Sequence, residues 1–156
     1  GFCRNDSDSP LNLKKLPKFA SYANILIDFI SGSIPVCHNA PFDILFIMIE
    51  LAPFISIENF IQAVPYVVCT KNSYASILGK ENSFYYIPDT SLDSLCQYLK
   101  VENENRQERH TAVEDTKVTA SCFVKLTKEY PENIFVFETG KILEYMINTI
   151  IKSPKR

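Results

Sequence analysis

The first segment whose residue types could do chemistry is His-Asn-Ala-Pro-Phe-Asp at positions 38–43. It follows a short apolar run over Ile34–Cys37 that predicts a buried strand, and Asn39 and Pro41 mark the start of a helix. Ligands of α/β proteins bind beyond the carboxyl ends of strands, and Asp43 would enter that crevice from the first turn of the helix. An isolated aspartate at a helix start is more often a simple helix-end residue. The complete six-residue segment and its place after a strand favour a functional site.

The second such segment is Arg-His-Thr-Ala-Val-Glu-Asp at positions 109–115, where a helix predicted over Ala112–Lys128 begins. His110 ends a polar loop, and Asp115 follows it on the helix. This arrangement suits proton abstraction from a water molecule next to a metal ion. A histidine and an aspartate at this spacing are also common on protein surfaces, so the segment taken alone favours an ordinary surface.

Alternating helices and strands must position these two segments. The apolar residues of Lys18–Ile30 recur at spacings of three and four, which predicts an amphipathic helix, with Gly32 just past its end. The remaining predictions are helices over Phe42–Leu51, Ser91–Leu99 and Lys141–Ile151, strands over Tyr66–Cys69 and Ile134–Phe137, and polar connections at Gly79–Thr90 and Glu102–Arg109. This alternation predicts an α/β fold. We expect one main domain over residues 1–130 and a strand–helix extension over residues 131–156.

Composition and charge limit the classes of protein to consider. The 156 residues are 46% hydrophobic and 22% charged, which is typical of one globular domain. The formal net charge of −2 argues against non-specific nucleic-acid binding through a large basic surface. The five cysteines include no close pair with metal-ligand spacing, no apolar run approaches the roughly 18 residues that span a bilayer, and the opening residues do not resemble a leader. We therefore expect a reduced, intracellular, cytoplasmic protein without membrane contact and, because residue 1 is a glycine, a processed or partial chain.

The two segments, in this order and this far apart, resemble the HNAxFD and HxAxxD motifs of the DEDDh-type 3′–5′ exonuclease family, which includes the proofreading ε subunit of bacterial replicative polymerases. Between them, Ser91–Cys96 matches the family's SLDALC helix start, and Leu16–Phe19 and Asp28–Ile30 match the helix before the first of these motifs. The resemblance covers roughly Ser9–Leu126.

The resemblance implies a ribonuclease H-like fold, a mixed sheet flanked by helices, that removes nucleotides from the 3′ end of DNA or RNA. Four acidic residues of such enzymes bind two divalent ions, Mg²⁺ or Mn²⁺, and a histidine is the general base. Carried over to this sequence, Asp43 and Asp115 would be metal ligands and His110 the general base. His38, Asn39 and Phe42 would shape the site or contact the substrate. Single-stranded DNA is the expected substrate, and a DNA polymerase subunit is a candidate partner.

The sequence departs from the family pattern in its first part. The family's first motif, Asp-x-Glu on the first strand, supplies the other two carboxylates, and the chain begins too late to contain it. The fold is therefore expected to miss its first strands, to expose the Ile34–Cys37 strand as an edge prone to aggregation, and to be inactive or nearly so alone. The only similar segment, Phe135–Gly140, has Val136 in place of the aspartate and is interpreted as a strand and turn.

Two further departures are expected to matter less. Cys69 stands where relatives often carry aspartate, and the insert Gly79–Pro88 contains the aromatic cluster Phe84–Tyr86, which could stack on bases but more often packs on the domain. The alternative function is a catalytically inactive, exonuclease-like binding or assembly module that docks through the helix predicted over Lys141–Ile151.

Overall fold

The computed structural model describes residues 18–81, 89–102 and 111–152, which form seven α-helices and a three-stranded sheet. In chain order the elements are α1 (Ala23–Ile30), β1 (Val36–Cys37), α2 (Ala40–Leu51), α3 (Ile57–Ala63), β2 (Tyr66–Cys69), α4 (Thr70–Glu81), α5 (Leu92–Leu99), α6 (Ala112–Glu129), β3 (Val136–Glu138) and α7 (Thr139–Lys152). The predicted mixture of helices and strands is confirmed. None of the helices in these ranges is long and apolar enough to cross a membrane.

The sheet has the strand order β1-β2-β3. β1 and β2 are parallel, with Cys37 opposite Cys69, and β2 and β3 are antiparallel, with Val68 opposite Val136. The strand predicted over residues 34–37 is found as β1 over residues 36–37, and it lies at an edge of the sheet that the described residues form. The predicted strand in the tail is confirmed, but no turn follows it, since α7 begins directly at Thr139.

Local signals explain several helix boundaries. Ser56 begins α3 and Ser91 begins α5, and each hydroxyl accepts a hydrogen bond from a backbone N–H three residues on, at 3.2 Å. Gly32 follows α1 with a φ of +72°, and its N–H donates to the carbonyl of Ala63 at 2.8 Å. α1 itself begins at Ala23, later than predicted, because residues 19–21 form a 3-10 turn.

The described residues form two hydrophobic cores. The sheet core consists of buried residues of α1, α2, α3, β2 and α7 and of the turn after α3: Ala23, Ala40, Ile44, Met48, Leu51, Phe60, Val64, Val67, Cys69, Ile142 and Leu143. The helical core consists of buried residues of α4, α5 and α6: Tyr74, Ile77, Leu78, Leu92, Leu95, Cys96, Leu99, Val118, Cys122 and Leu126. Because α7 packs against α2 and contributes two of these residues, the strand–helix extension shares the sheet core with the preceding elements.

Candidate active site

An open cleft of about 590 Å³ lies at the end of β1, where α2, α5 and α6 meet. It is lined by residues from all four elements and from the turn after β1: Val36, Cys37, His38, Asn39, Asp43, Ile47, Leu92, Ala112, Asp115, Thr116, Thr119 and Ala120. The two segments identified in the sequence therefore contribute to one cavity.

Asp43 enters the cleft from the first turn of α2. The backbone carbonyl of Asn39 accepts the first helical hydrogen bonds, from the N–H groups of Phe42 at 2.9 Å and Asp43 at 3.3 Å. Partial burial raises the pKa of the Asp43 carboxyl above its ordinary value, while hydrogen bonds from the Asn39 backbone and the Cys37 thiol act in the opposite direction.

Asp115 lines the same cleft from another helix, in the first turn of α6. Thr111 begins this helix, and its hydroxyl accepts a hydrogen bond from the N–H of Glu114 at 3.2 Å. Glu114 pairs with Lys117 at 3.0 Å and does not line the cleft. Of these two neighbouring carboxylates, Asp115 is the one that faces the cavity.

Cys37 is a site residue that the sequence reasoning missed. Its thiol lines the cleft and donates a hydrogen bond to Asp43. Burial, followed by the charge of Asp43 and the neighbouring Cys69, raises the pKa of the Cys37 thiol to about 12, so the thiol stays protonated at neutral pH. Its place one residue before His38 was the only available signal, because the pairing with Asp43 depends on how α2 leaves the strand.

The remaining predicted site residues are placed differently from one another. His38 and Asn39 line the cleft. The His38 ring is bound on both sides, with Nδ1 3.0 Å from Thr70 Oγ1 and Nε2 3.0 Å from the carbonyl of Thr90. Phe42 is not among the cleft-lining residues; it is exposed and packs against Phe46 with the ring centroids 4.5 Å apart. His110 lies outside the described residues, as does the aromatic cluster at positions 84–86.

Two divalent metal ions in this cleft would need several oxygen ligands. Carboxylate oxygens are the donor type that Mg²⁺ and Mn²⁺ prefer. The described part of the chain places two carboxylates here, Asp43 and Asp115, and within it no group of three or more His, Cys, Asp or Glu side chains is arranged to hold a metal. The described residues therefore offer the type of ligand that such ions prefer, but too few of them to form a two-metal site.

Comparison with known proteins gives one family and several relatives. The family model described as Exonuclease, RNase T, matches residues 6–123, a span that contains both sequence segments. DNA polymerase III subunit epsilon of Rickettsia prowazekii is 36% identical over 122 residues, which cover 74% of this chain and 47% of that protein. The same subunit of Buchnera aphidicola is 30% identical over 140 residues, covering 89% and 51%. The PolC-type DNA polymerase III of Caldanaerobacter subterraneus is 29% identical over 126 residues, covering 80% and 7%.

The chain thus spans about half the length of the epsilon-subunit relatives that it matches. No solved structure gives a significant match.

Proposed function

Because this chain belongs to the RNase T exonuclease family, we propose that it acts as a metal-dependent 3′–5′ exonuclease that hydrolyses terminal phosphodiester bonds of DNA during proofreading or repair. The observation that carries this proposal is the convergence of Asp43 and Asp115 on one cleft. The two residues come from segments far apart in the sequence and from helices that belong to different cores. In this proposal the described sheet and helices belong to a ribonuclease H-like fold.

The proposed roles follow the resemblance of the two segments to the family motifs and, for the residues that the structure describes, their position at the cleft. Asp43 and Asp115 supply two of the oxygen ligands for Mg²⁺ or Mn²⁺ ions. His110 takes the proton of the attacking water, which is the task of a general base. Asn39 in the cleft and Phe42 beside it contact the terminal nucleotide, and His38 shapes the site. The substrate is the 3′ end of single-stranded DNA. Since relatives are named as polymerase subunits, a DNA polymerase is the proposed partner, in the cytoplasm.

A 3′-end digestion assay tests this proposal. A single-stranded oligonucleotide labelled at its 5′ end is incubated with the full-length protein in Mg²⁺ or Mn²⁺, and the ladder of shortened products is followed over time. Asp115→Asn is expected to slow the reaction at least about 100-fold, because even outer-shell partners of metal ligands are worth roughly 10–100-fold.

Glu114→Gln is the matched control, since Glu114 is the adjacent carboxylate but does not line the cleft. It is expected to leave the rate within about threefold of the original, as an exposed surface charge pair contributes little. Activity that survives Asp115→Asn would remove Asp115 from the ligand set. A full-length protein that leaves the oligonucleotide intact with either ion would refute the proposed activity.

A second candidate function is a catalytically inactive, exonuclease-like binding or assembly module. The observation that favours it is the presence of only two cleft carboxylates in the described part of the chain. Calorimetric titration with Mn²⁺ separates the two candidates. The binding of two ions, lost in Asp43→Asn, contradicts the inactive module, whereas the absence of any binding heat contradicts the metal-dependent enzyme.

A further inference from the structure

His38 lies directly after β1, and its imidazole ring reaches two distant parts of the chain. Nδ1 is 3.0 Å from the hydroxyl of Thr70, which follows β2, and Nε2 is 3.0 Å from the carbonyl oxygen of Thr90, which precedes α5. Both contacts are partly buried. The ring therefore connects the end of the sheet to the segment that leads into the helical core.

The chemistry of these partners determines where the ring proton lies. A carbonyl oxygen only accepts hydrogen bonds, so Nε2 must carry the hydrogen that binds Thr90. In the neutral ring, Nδ1 then accepts a hydrogen bond from the Thr70 hydroxyl. In the doubly protonated ring, Nδ1 donates to that hydroxyl, whose hydrogen can turn to the carbonyl of Cys37, 3.4 Å away. The bond to Thr90 is present in both states.

The Thr90 carbonyl belongs to a well-connected turn at the start of α5. The carboxylate of Asp89 accepts hydrogen bonds from the backbone N–H of Ser91 at 2.9 Å and from its hydroxyl at 3.0 Å. Ser91 in turn caps the N-terminus of α5, and Leu92, the first residue of that helix, lines the cleft. A bond from His38 to Thr90 therefore holds the first turn of α5 against β1.

The other end of α5 is joined to α6, the helix that carries Asp115. Lys125 of α6 donates to the carbonyls of Leu99 at 2.8 Å and Lys100 at 2.9 Å, where α5 ends. In the middle, the sulfur atoms of Cys96 and Cys122 are 3.7 Å apart within the helical core. α5 and α6 thus form a connected pair, and His38 connects this pair to β1, the strand that precedes α2 and its Asp43.

We propose that His38 is a positioning residue of the cleft. Its Nε2–H bond to the Thr90 carbonyl holds α5 in place beside β1, and through α5 it positions the wall that carries Asp115, while its ring nitrogens bind the protein and not the substrate. The effect on catalysis rests on the exonuclease function proposed above, but the hydrogen bond itself does not. Because α6 also contacts β1 directly, loss of the bond should loosen the first turn of α5 without separating the two cores.

Two substitutions separate the two ring nitrogens. The amide nitrogen of glutamine reaches about as far as Nε2, so His38→Gln can still donate to Thr90. The amide nitrogen of asparagine reaches about as far as Nδ1, so His38→Asn retains the Thr70 partner and loses Thr90. Hydrogen exchange of the Ser94 and Leu95 amides should be about fivefold faster in His38→Asn than in the original chain, and within about twofold in His38→Gln, since one net hydrogen bond is worth about 1 kcal/mol. Equal exchange in the two variants would overturn the proposal.

A measurement on the unsubstituted chain covers the case in which His38→Asn does not fold. Long-range ¹H–¹⁵N NMR correlation identifies which ring nitrogen is protonated when the ring is neutral. We expect hydrogen on Nε2 and a bare Nδ1. A neutral ring with the hydrogen on Nδ1 would refute the proposal, because Nε2 could not then donate to the Thr90 carbonyl.

The digestion assay then separates this inference from the proposed function. If the chain is an exonuclease, His38→Gln should keep at least about ten times the kcat of His38→Asn at similar KM, since misplacement of a catalytic wall by 1 Å can cost about 100-fold. A chain without nuclease activity but with Nε2–H and the exchange difference would refute the function and leave the positioning role standing. An active chain with equal exchange in the two variants would do the reverse.

Discussion

The two walls of the cleft belong to different cores and differ in how their helices meet water. α2, which carries Asp43, packs on the sheet core and exposes Phe42, Phe46 and Ile49 on its outer face. α6, which carries Asp115, buries Val118, Cys122 and Leu126 at spacings of four and presents mainly polar groups outside. Each carboxylate lies in the first turn of its helix, yet burial raises the pKa of Asp43. The cleft therefore lies between α2, a helix that is apolar on its outer face as well, and α6, an amphipathic helix.

The exposed apolar surface is concentrated on the side of the sheet core. α1 exposes Ile25 and Phe29, Tyr22 is exposed directly before this helix, and Ile34 precedes the edge strand β1. A large exposed apolar patch and an open strand edge both favour association or aggregation. The sheet core, which carries this exposed surface, is therefore the first part of the molecule to test.

The largest expected effect is on stability. Phe60 is 1% exposed at the centre of the sheet core, so Phe60→Ala should lower the free energy of unfolding by about 3–5 kcal/mol, the usual cost of removing a buried aromatic ring. The matched control is Phe29→Ala, where the ring is 81% exposed and the change should stay within about 0.5 kcal/mol.

Urea unfolding followed by circular dichroism and by tyrosine fluorescence measures both variants. Tyr74, Tyr98 and Tyr130 all lie in or against the helical core, so fluorescence reports in part on the core that was not changed. Coincident shifts of the two signals mean that the cores unfold together. A transition that shifts in circular dichroism but not in fluorescence would show that the two cores unfold independently.

An intermediate effect on the free energy of unfolding is expected for changes where α5 and α6 are joined. Lys125→Met removes the ammonium group that binds the last carbonyls of α5 and should lower the free energy of unfolding by about 1–2 kcal/mol, since hydrogen bonds from charged groups are worth about 1.5–3 kcal/mol and this one is partly exposed. Lys117→Met, which removes an exposed pair with Glu114, should change it by less than about 0.5 kcal/mol. Equal losses in the two variants, by thermal or urea unfolding, would contradict the role given to Lys125.

The smallest effect concerns the two carboxylates themselves. Because the folded-state pKa of Asp43 is raised, its contribution favours folding below the unfolded pKa of about 3.9 and is lost as pH rises through the folded pKa. Asp43→Asn should therefore raise Tm at pH 7, and the gain should disappear near pH 4. Asp115→Asn should lower stability at pH 7 by about 0.3–1 kcal/mol, because an anion in the first turn of a helix is stabilised by the helix dipole. Scanning calorimetry at both pH values, without divalent ions, measures the Tm of each variant. A change of Tm in the same direction for the two variants at pH 7 would contradict this difference between Asp43 and Asp115.

Much of this arrangement was accessible from the sequence because it is local. Apolar spacing predicted α1 and α6, the start signal at Asn39 and Pro41 predicted α2, and α5 was also predicted. The two motif segments placed Asp43 and Asp115 near the starts of their helices, as the structure shows. A short apolar run predicted β1, and the strand and helix of the tail were also found. Each of these features depends on residues only a few positions apart.

Only the tertiary structure decided the rest, because it depends on residues far apart in the chain. α4 was missed because polar residues lie on its buried side: the Ser73 hydroxyl donates to the carbonyl of Cys69 at 2.9 Å and accepts from the N–H of Phe135 at 2.9 Å, so a buried serine disrupts the apolar pattern while remaining fully satisfied. The contact of Cys37 with Asp43 depends on the angle at which α2 leaves the sheet. The partners of His38 lie 32 and 52 positions along the chain, a separation that no local pattern encodes.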